Sequence, residues 1–173
     1  VRGIAFYFSM ECNGFGFGIV LVAPQIPQNT GNIARICAAT NSELHLIEPL
    51  GFSLDDAAMK RAGLDYWRAV KISLWKGWDF FLEKQRERRL FFFETGTYPP
   101  YFTASFQPHD IFVFGRETKG LSQRILSLNP QSIFSIPILN SSVRSLNLAN
   151  CVSIILYEAI RQNLLRKKNS TLR

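Results

Sequence analysis

Ile111-Phe112-Val113-Phe114-Gly115-Arg116-Glu117-Thr118-Lys119-Gly120-Leu121 decides how this chain is read. Four apolar, β-favouring residues run straight into a glycine-flanked polar turn, the pattern of a buried strand that ends at a loop. A second strand-like run, residues 133–136, stops at Pro137 and a polar loop. Arg144-Ser145-Leu146-Asn147-Leu148-Ala149-Asn150 then leads into a long apolar-periodic segment ending near Gln162. Strand ends of this kind leave backbone groups free to bind, and in an α/β sheet the ligand takes the crevice they form.

Working outward, Gly18-Ile19-Val20-Leu21-Val22-Ala23 reads as a strand covered on both faces. Pro24 and Pro27 then predict a stiff extended loop, with a helix beginning near Asn29-Thr30 and reaching about Asn41. Asn29, Asn32 and Arg35 lie three apart, which suggests one helical face beside the strand's end. Residues 44–48 read as a second strand and 70–74 as a third, weaker one, with a helix between them starting at Ser53 and stopping at Gly63. A helix over residues 76–89 precedes a fourth strand, Leu90-Phe91-Phe92-Phe93. Strands alternating with helices predict an α/β fold, an open parallel sheet with helices on both faces. The expected organisation is an N-terminal extension over residues 1–17, one domain over 18–165 and a basic tail over 166–173. A chain cut back to Gly18 is therefore expected to fold.

Composition narrows the partners. The three cysteines (Cys12, Cys37, Cys151) are too few and too scattered for a disulfide framework or a metal site, which favours a reduced, cytoplasmic setting and no metal. No apolar run is long enough to span a membrane. The formal charge of +7 suggests an anionic partner such as nucleic acid, against the alternative of a merely solvated basic surface. A dinucleotide fingerprint is disfavoured, because Gly14-Phe15-Gly16-Phe17-Gly18 precedes a strand instead of following one.

Three stretches occur together in order: Gln25-Ile26-Pro27-Gln28-Asn29-Thr30-Gly31-Asn32-Ile33-Ala34-Arg35, then Phe114-Gly115-Arg116-Glu117-Thr118-Lys119-Gly120-Leu121, then Ile136-Pro137-Ile138 with Arg144-Ser145-Leu146-Asn147-Leu148-Ala149-Asn150. They resemble the three motifs of the SpoU branch of the SPOUT RNA methyltransferases. The chain's short length, with Ile47-Glu48-Pro49-Leu50-Gly51-Phe52 and Arg61-Ala62-Gly63-Leu64-Asp65-Tyr66, is most similar to the minimal members that methylate the wobble ribose of tRNA. Two departures stand out: Arg116 and Ala149 occupy positions where proline and serine are frequent in the family.

The resemblance implies a C-terminal trefoil knot, S-adenosylmethionine as cofactor with S-adenosylhomocysteine as product, and an obligate homodimer whose sites are completed across the interface. It implies that Phe93, Gly115, Ile136, Ile138, Ser145 and Leu146 bind the cofactor, the glycine allowing close approach. It assigns catalysis to Arg35, with Asn29, Glu117, Ser145 and Asn147 in support. An arginine is a poor base because its pKa lies far above neutrality, so Arg35 is expected to position substrate, Asn29 to orient it or bind ribose, and Glu117 to align a cation such as Arg35. Ser145 and Asn147, at the start of the last helix, would meet cofactor and substrate.

Each residue also has a plainer reading: Asn29 or Asn147 as a helix N-cap, Arg35 as a surface charge, Ser145 as a loop hydroxyl. Tyr157, Ile154, Ile155 and Ile160 read as core or dimer interface, and at least two of Trp67, Trp75 and Trp78 as packing rather than base-stacking residues. A patch from Arg61, residues 84–89 and residues 161–168 is expected to grip the tRNA anticodon stem-loop through its phosphates. Ribosomal RNA as substrate, or a non-catalytic RNA-binding protein, remain the alternatives.

Overall fold

The computed structural model describes residues 14–54 and 69–171. Six parallel strands form one sheet: β1 (Gly18–Val22), β2 (Glu43–Ile47), β3 (Ile72–Trp75), β4 (Leu90–Phe93), β5 (Ile111–Phe114) and β6 (Ile133–Phe134). Their spatial order is β3-β2-β1-β5-β4-β6. The chain builds outward from β1 through β2 to β3, then crosses to β4 and returns to set β5 between β1 and β4. Parallel neighbours require crossovers, which carry α1 (Pro27–Thr40), α2 (Trp78–Gln85) and the short α3 (Gln123–Leu126), and α4 (Leu148–Thr171) follows the last strand.

The strands read as continuous apolar runs because both faces are covered. In β4, Phe91 and Phe93 point toward one cluster with Ile33, Ala34 and Cys37 of α1 and Val152, Ile155 and Leu156 of α4. Phe92, between them, enters the other cluster with Trp78 and Phe81 of α2 and Ile125 and Leu126 of α3. β5 divides in the same way, Phe112 and Phe114 to the first face, Ile111 and Val113 to the second. Side chains alternate across a strand, so one run serves two cores. Each fully buried phenylalanine contributes roughly 2–3 kcal/mol of transfer free energy.

Several boundaries differ from expectation. The helix expected near Asn29 begins at Pro27, because proline at the first helical position loses only an N–H that has no partner in the helix anyway. Phe17, assigned by sequence to an extension, is 1% exposed in the first cluster, and Phe15 packs against it. The glycines flanking these two residues had disguised them. β6 is two residues long, although Ser135 still bridges to Pro100. The helix expected over 76–89 is the shorter α2, and α4 continues through the expected basic tail to Thr171. The helix expected between Ser53 and Gly63, together with Trp67 and Arg61, falls outside the described residues. Trp75 and Trp78 pack on Phe81, as packing residues should.

Candidate active site

The carboxyl ends of β1, β5, β4 and β6 open into one cleft of about 500 Å³. Its floor is Phe93 and Phe114, the last residues of neighbouring strands, stacked with centroids 5.1 Å apart. Ile136, Ile138 and Leu146 add apolar wall, and Ser145, Arg144, Glu94 and residues 115–120 add polar groups. An apolar floor under a few convergent polar groups, at the point where strand order reverses, suits a small organic ligand.

The loop after β5 closes on itself. Gly120 donates its N–H to the Arg116 carbonyl at 2.9 Å, and Gly120 has φ +61°. A Cβ on Gly115 would lie 2.0 Å from the Gly120 carbonyl carbon, so residue 115 must be glycine for the loop to fold back. Beside the expected close approach to a cofactor, closure of the loop is thus a second reason for this glycine. Glu94 fixes the same loop from below, its carboxylate accepting the N–H groups of Leu121 at 2.7 Å and Thr95 at 2.8 Å. Sequence reading passed over Glu94 as part of a turn. Its signal was a carboxylate immediately after a buried strand.

Glu117 ties the loop to α1. Its carboxylate accepts the backbone N–H groups of Gln25 at 2.8 Å and Ile26 at 3.1 Å, and the Asn29 side-chain amide at 3.0 Å. These backbone donors precede the first turn of α1, where no side chain of the segment itself provides a cap and an anion is favoured. Within one protomer Glu117 thus holds the backbone before α1 and Asn29. Asn29 sits in the first turn, not at the cap, and its Oδ1 accepts from Asn147 Nδ2 at 2.9 Å. Asn147 is the N-cap of α4, with Oδ1 accepting from Ala149 N–H at 2.9 Å. The capping reading of Asn147 holds, and the other end of its amide joins Glu117 and Asn29 in a chain across three motifs.

Nine of the ten residues singled out by sequence line this cleft: Asn29, Phe93, Gly115, Glu117, Ile136, Ile138, Ser145, Leu146 and Asn147. Arg35 does not; it lies on the exposed side of α1. Three-residue steps turn a helix by 300°, so two steps carry Arg35 roughly 120° away from buried Asn29. Cys151 also lines the cleft, and burial pushes its thiol up to about 11. Among the described residues no group of His, Cys, Asp and Glu has the makings of a metal site, and no helix is long and apolar enough to cross a membrane.

Of the expected basic patch, residues 84–89 and 161–168 are described and their cations are mostly exposed, but several of the arginines are paired within the fold. Arg88 donates to Glu43 and to the carbonyls of Gly16 and His109. Arg89 forks onto Asp110, Arg161 onto Glu158, and Arg166 reaches the Phe106 carbonyl and Ser105. These contacts tie the four arginines to the fold.

Fold and cleft together define an α/β domain that takes its ligand in backbone loops at the carboxyl edge of a parallel sheet. A model of the SpoU rRNA Methylase family matches residues 16–157. The chain belongs to that family. It is 45% identical over 149 residues to the tRNA (cytidine(34)-2'-O)-methyltransferase of Burkholderia pseudomallei, covering 84% of this chain and 95% of that protein. A solved structure concerned with 2-OH methylation of C/U34 on tRNA superposes with TM-score 0.80 at 42% identity, covering 86% of this chain and 96% of the other. The SpoU methyltransferase AviRb of Streptomyces viridochromogenes, solved with AdoMet, shares the fold at TM-score 0.75 and 24% identity, over 88% of this chain and 59% of that one.

Proposed function

We propose that the protein is an S-adenosylmethionine-dependent tRNA 2'-O-ribose methyltransferase acting on the wobble nucleotide, a cytidine or uridine. The observation that carries this is the cleft itself, in which residues from all three family motifs meet and interlock through Glu117, Asn29 and Asn147. Relatives named for this reaction share nearly half of its residues over most of its length.

The cleft fits the cofactor on its own chemistry. Its volume lies within the usual range for such ligands, Phe93 and Phe114 offer an aromatic floor, and Ile136, Ile138 and Leu146 offer apolar cover for an adenine. Gly115, Ser145 and the turn around Ile136 would supply polar groups to its edges. When bound, S-adenosylmethionine supplies an activated methyl group, leaving S-adenosylhomocysteine. The protein's own task is to hold the ribose 2'-oxygen in line with that methyl and let its proton leave. Glu117 and Asn29 contribute by fixing the loop against α1, and Ser145 and Asn147 by presenting the start of α4 to the reacting groups.

Arg35 is the positioning cation, delivered into the cleft of a partner protomer in a homodimer. Its exposed place on α1, away from its own cleft, favours that arrangement, and so do the exposed Ile26, Val143, Leu146 and Tyr157. A forked, permanent cation suits a ribose or phosphate, with a substrate phosphate or solvent accepting the proton. The same reading includes the trefoil knot in the chain after β6 and a cytoplasmic location.

The test is methyl transfer to unmodified tRNA and, separately, ribosomal RNA, followed by nucleoside mass spectrometry. A 2'-O-methylated cytidine or uridine from tRNA is expected; product from ribosomal RNA alone would discard the substrate. Arg35→Ala should cut transfer at least about 100-fold while cofactor binding persists, and unchanged transfer would remove Arg35 from the site. Sedimentation should give a two-chain species, and an active monomer would contradict the shared site.

A further inference from the structure

Away from the cleft, five arginines of this protein are held by acceptors. Arg88, Arg89, Arg124, Arg161 and Arg166 are all engaged by carboxylates or carbonyls. Around the cleft the pairing is reversed. Its two carboxylates, Glu94 and Glu117, are taken up by backbone N–H groups and Asn29. Its three cations, Arg116, Lys119 and Arg144, come from two separate loops and have no carboxylate within ion-pair distance among the described residues. The cleft therefore presents cations whose natural counter-charges are already committed elsewhere.

Arg116 is the best held of the three. It is half-buried, its carbonyl accepts the Gly120 N–H, and it pairs with Gly120 as an isolated antiparallel bridge. Gly115 just before it is wedged against the Gly120 backbone, and Glu117 just after it is fastened to α1. Its Cα is thus fixed from both sides while its guanidinium remains on the cleft. Arginine at this position departs from the proline frequent in the family motif, so the group is a feature of this chain.

We propose that Arg116, with Lys119 and Arg144, forms a phosphate grip that holds the RNA backbone beside the target nucleotide and positions it over the cleft. The proposal rests on the RNA methyltransferase reading above. A phosphodiester is the fitting ligand because S-adenosylmethionine carries a sulfonium and an ammonium against one carboxylate, so it brings no excess of negative charge to balance three cations. A guanidinium fork suits two phosphate oxygens, and Lys119 and Arg144 add a point charge and a second fork on the same cleft.

The test is binding of a fluorescent anticodon stem-loop RNA at several salt concentrations, alongside calorimetric binding of S-adenosylhomocysteine and the methyl-transfer assay. Arg116→Ala should weaken RNA binding about tenfold. It should lower the slope of log affinity against log salt by about 0.7. Arg116→Lys should restore most of the slope but less of the affinity, since charge returns without the fork. Affinity for S-adenosylhomocysteine should hold, and the loss in transfer should fall on the KM for RNA. An unchanged salt slope in Arg116→Ala, or no RNA binding by the unaltered protein, overturns the grip. Weakened cofactor binding with an unchanged slope assigns the guanidinium to the cofactor instead and also overturns it. A reduced slope in a protein that methylates no RNA would keep the grip and discard the enzymatic reading.

Discussion

The two ends of the sheet use the same residue types for opposite purposes. At the amino end, carboxylates meet cations: Glu43 takes Arg88 and Lys71, and Asp110, only 2% exposed, takes both arms of Arg89. His45 lies in the same group, its Nδ1 accepting from the Trp75 indole N–H at 3.3 Å. At the carboxyl end, Glu94 and Glu117 accept backbone N–H groups and leave the cations of the cleft to face outward. Pairing charge with charge closes a surface. Pairing carboxylate with backbone shapes a loop and leaves positive charge available for an anionic substrate. Changes at the amino end should therefore move stability, and changes at the carboxyl end should move activity.

The largest expected effect tests the carboxyl end. Gly115→Ala would force apart the backbone of residues 115 and 120, with an added Cβ 2.0 Å from the Gly120 carbonyl carbon. No rotamer relieves a clash between backbone atoms, so the loop holding Arg116 and Glu117 must shift. Transfer is expected to fall at least about 100-fold, as a displacement of about 1 Å in a positioned site does. Calorimetry should show S-adenosylhomocysteine affinity falling with it. Thermal unfolding should remain cooperative, because the loop lies outside both core clusters. Near-normal transfer would break the claim that loop closure shapes the site.

What was legible beforehand follows the same division. β4 and β5 were read to the residue, since unbroken apolar runs bounded by charge or glycine have few other interpretations. The cleft residues were legible only through three ordered motifs; periodicity alone would have left Asn147 a cap and Ser145 a loop hydroxyl. Glu117 was found, but its contacts to Gln25 and Ile26 were not, because they lie 92 and 91 residues away and no local pattern joins them. The partners of Arg88 and Arg89 were illegible for the same reason: nothing near them in the sequence shows that Glu43 and Asp110 are brought beside them. Pairing across the fold decides whether a charge is structural, and sequence spacing does not carry it.

The next effect, smaller, tests the amino end. Burial lowers the pKa of His45 to about 4, against an opposing pull from Glu43, while Arg88 and Lys71 reinforce the lowering. Between that value and the ordinary pKa of about 6.5, the unfolded chain binds a proton that the folded chain refuses. Stability thus rises with pH through this window and is lost on acidification from 6.5 toward 4. Burial alone would raise the Glu43 carboxyl, but hydrogen bonds and charge from Lys71 and Arg88 lower it to about 2. Its contribution is complete above about 4.5 and is lost below that, a separate and more acid window. Between pH 6.5 and 5, urea titrations should therefore report His45, with a loss of about 1–2 kcal/mol. His45→Gln, which keeps an acceptor for Trp75, should flatten that stretch, and an unchanged pH slope would remove His45 from the account. Transfer per folded molecule should not follow the same curve.

The smallest effect sharpens the comparison by separating the cleft from the rest of the carboxyl end. Gly77 follows β3 at the far edge of the sheet and is the N-cap of α2, with no side-chain cap. Its φ of 172° is ordinary extended backbone, and a Cβ there would meet nothing within 4 Å. Gly77→Ser therefore introduces no strain, gives an orphan N–H of the first turn an acceptor, and reduces the freedom of the unfolded chain. A gain of about 0.5–1 kcal/mol is expected in urea unfolding, with transfer and RNA binding unchanged. A change in transfer here would mean that activity depends on the carboxyl edge as a whole, and the distinction would then lie between two ends of a sheet rather than between a closed surface and a shaped loop.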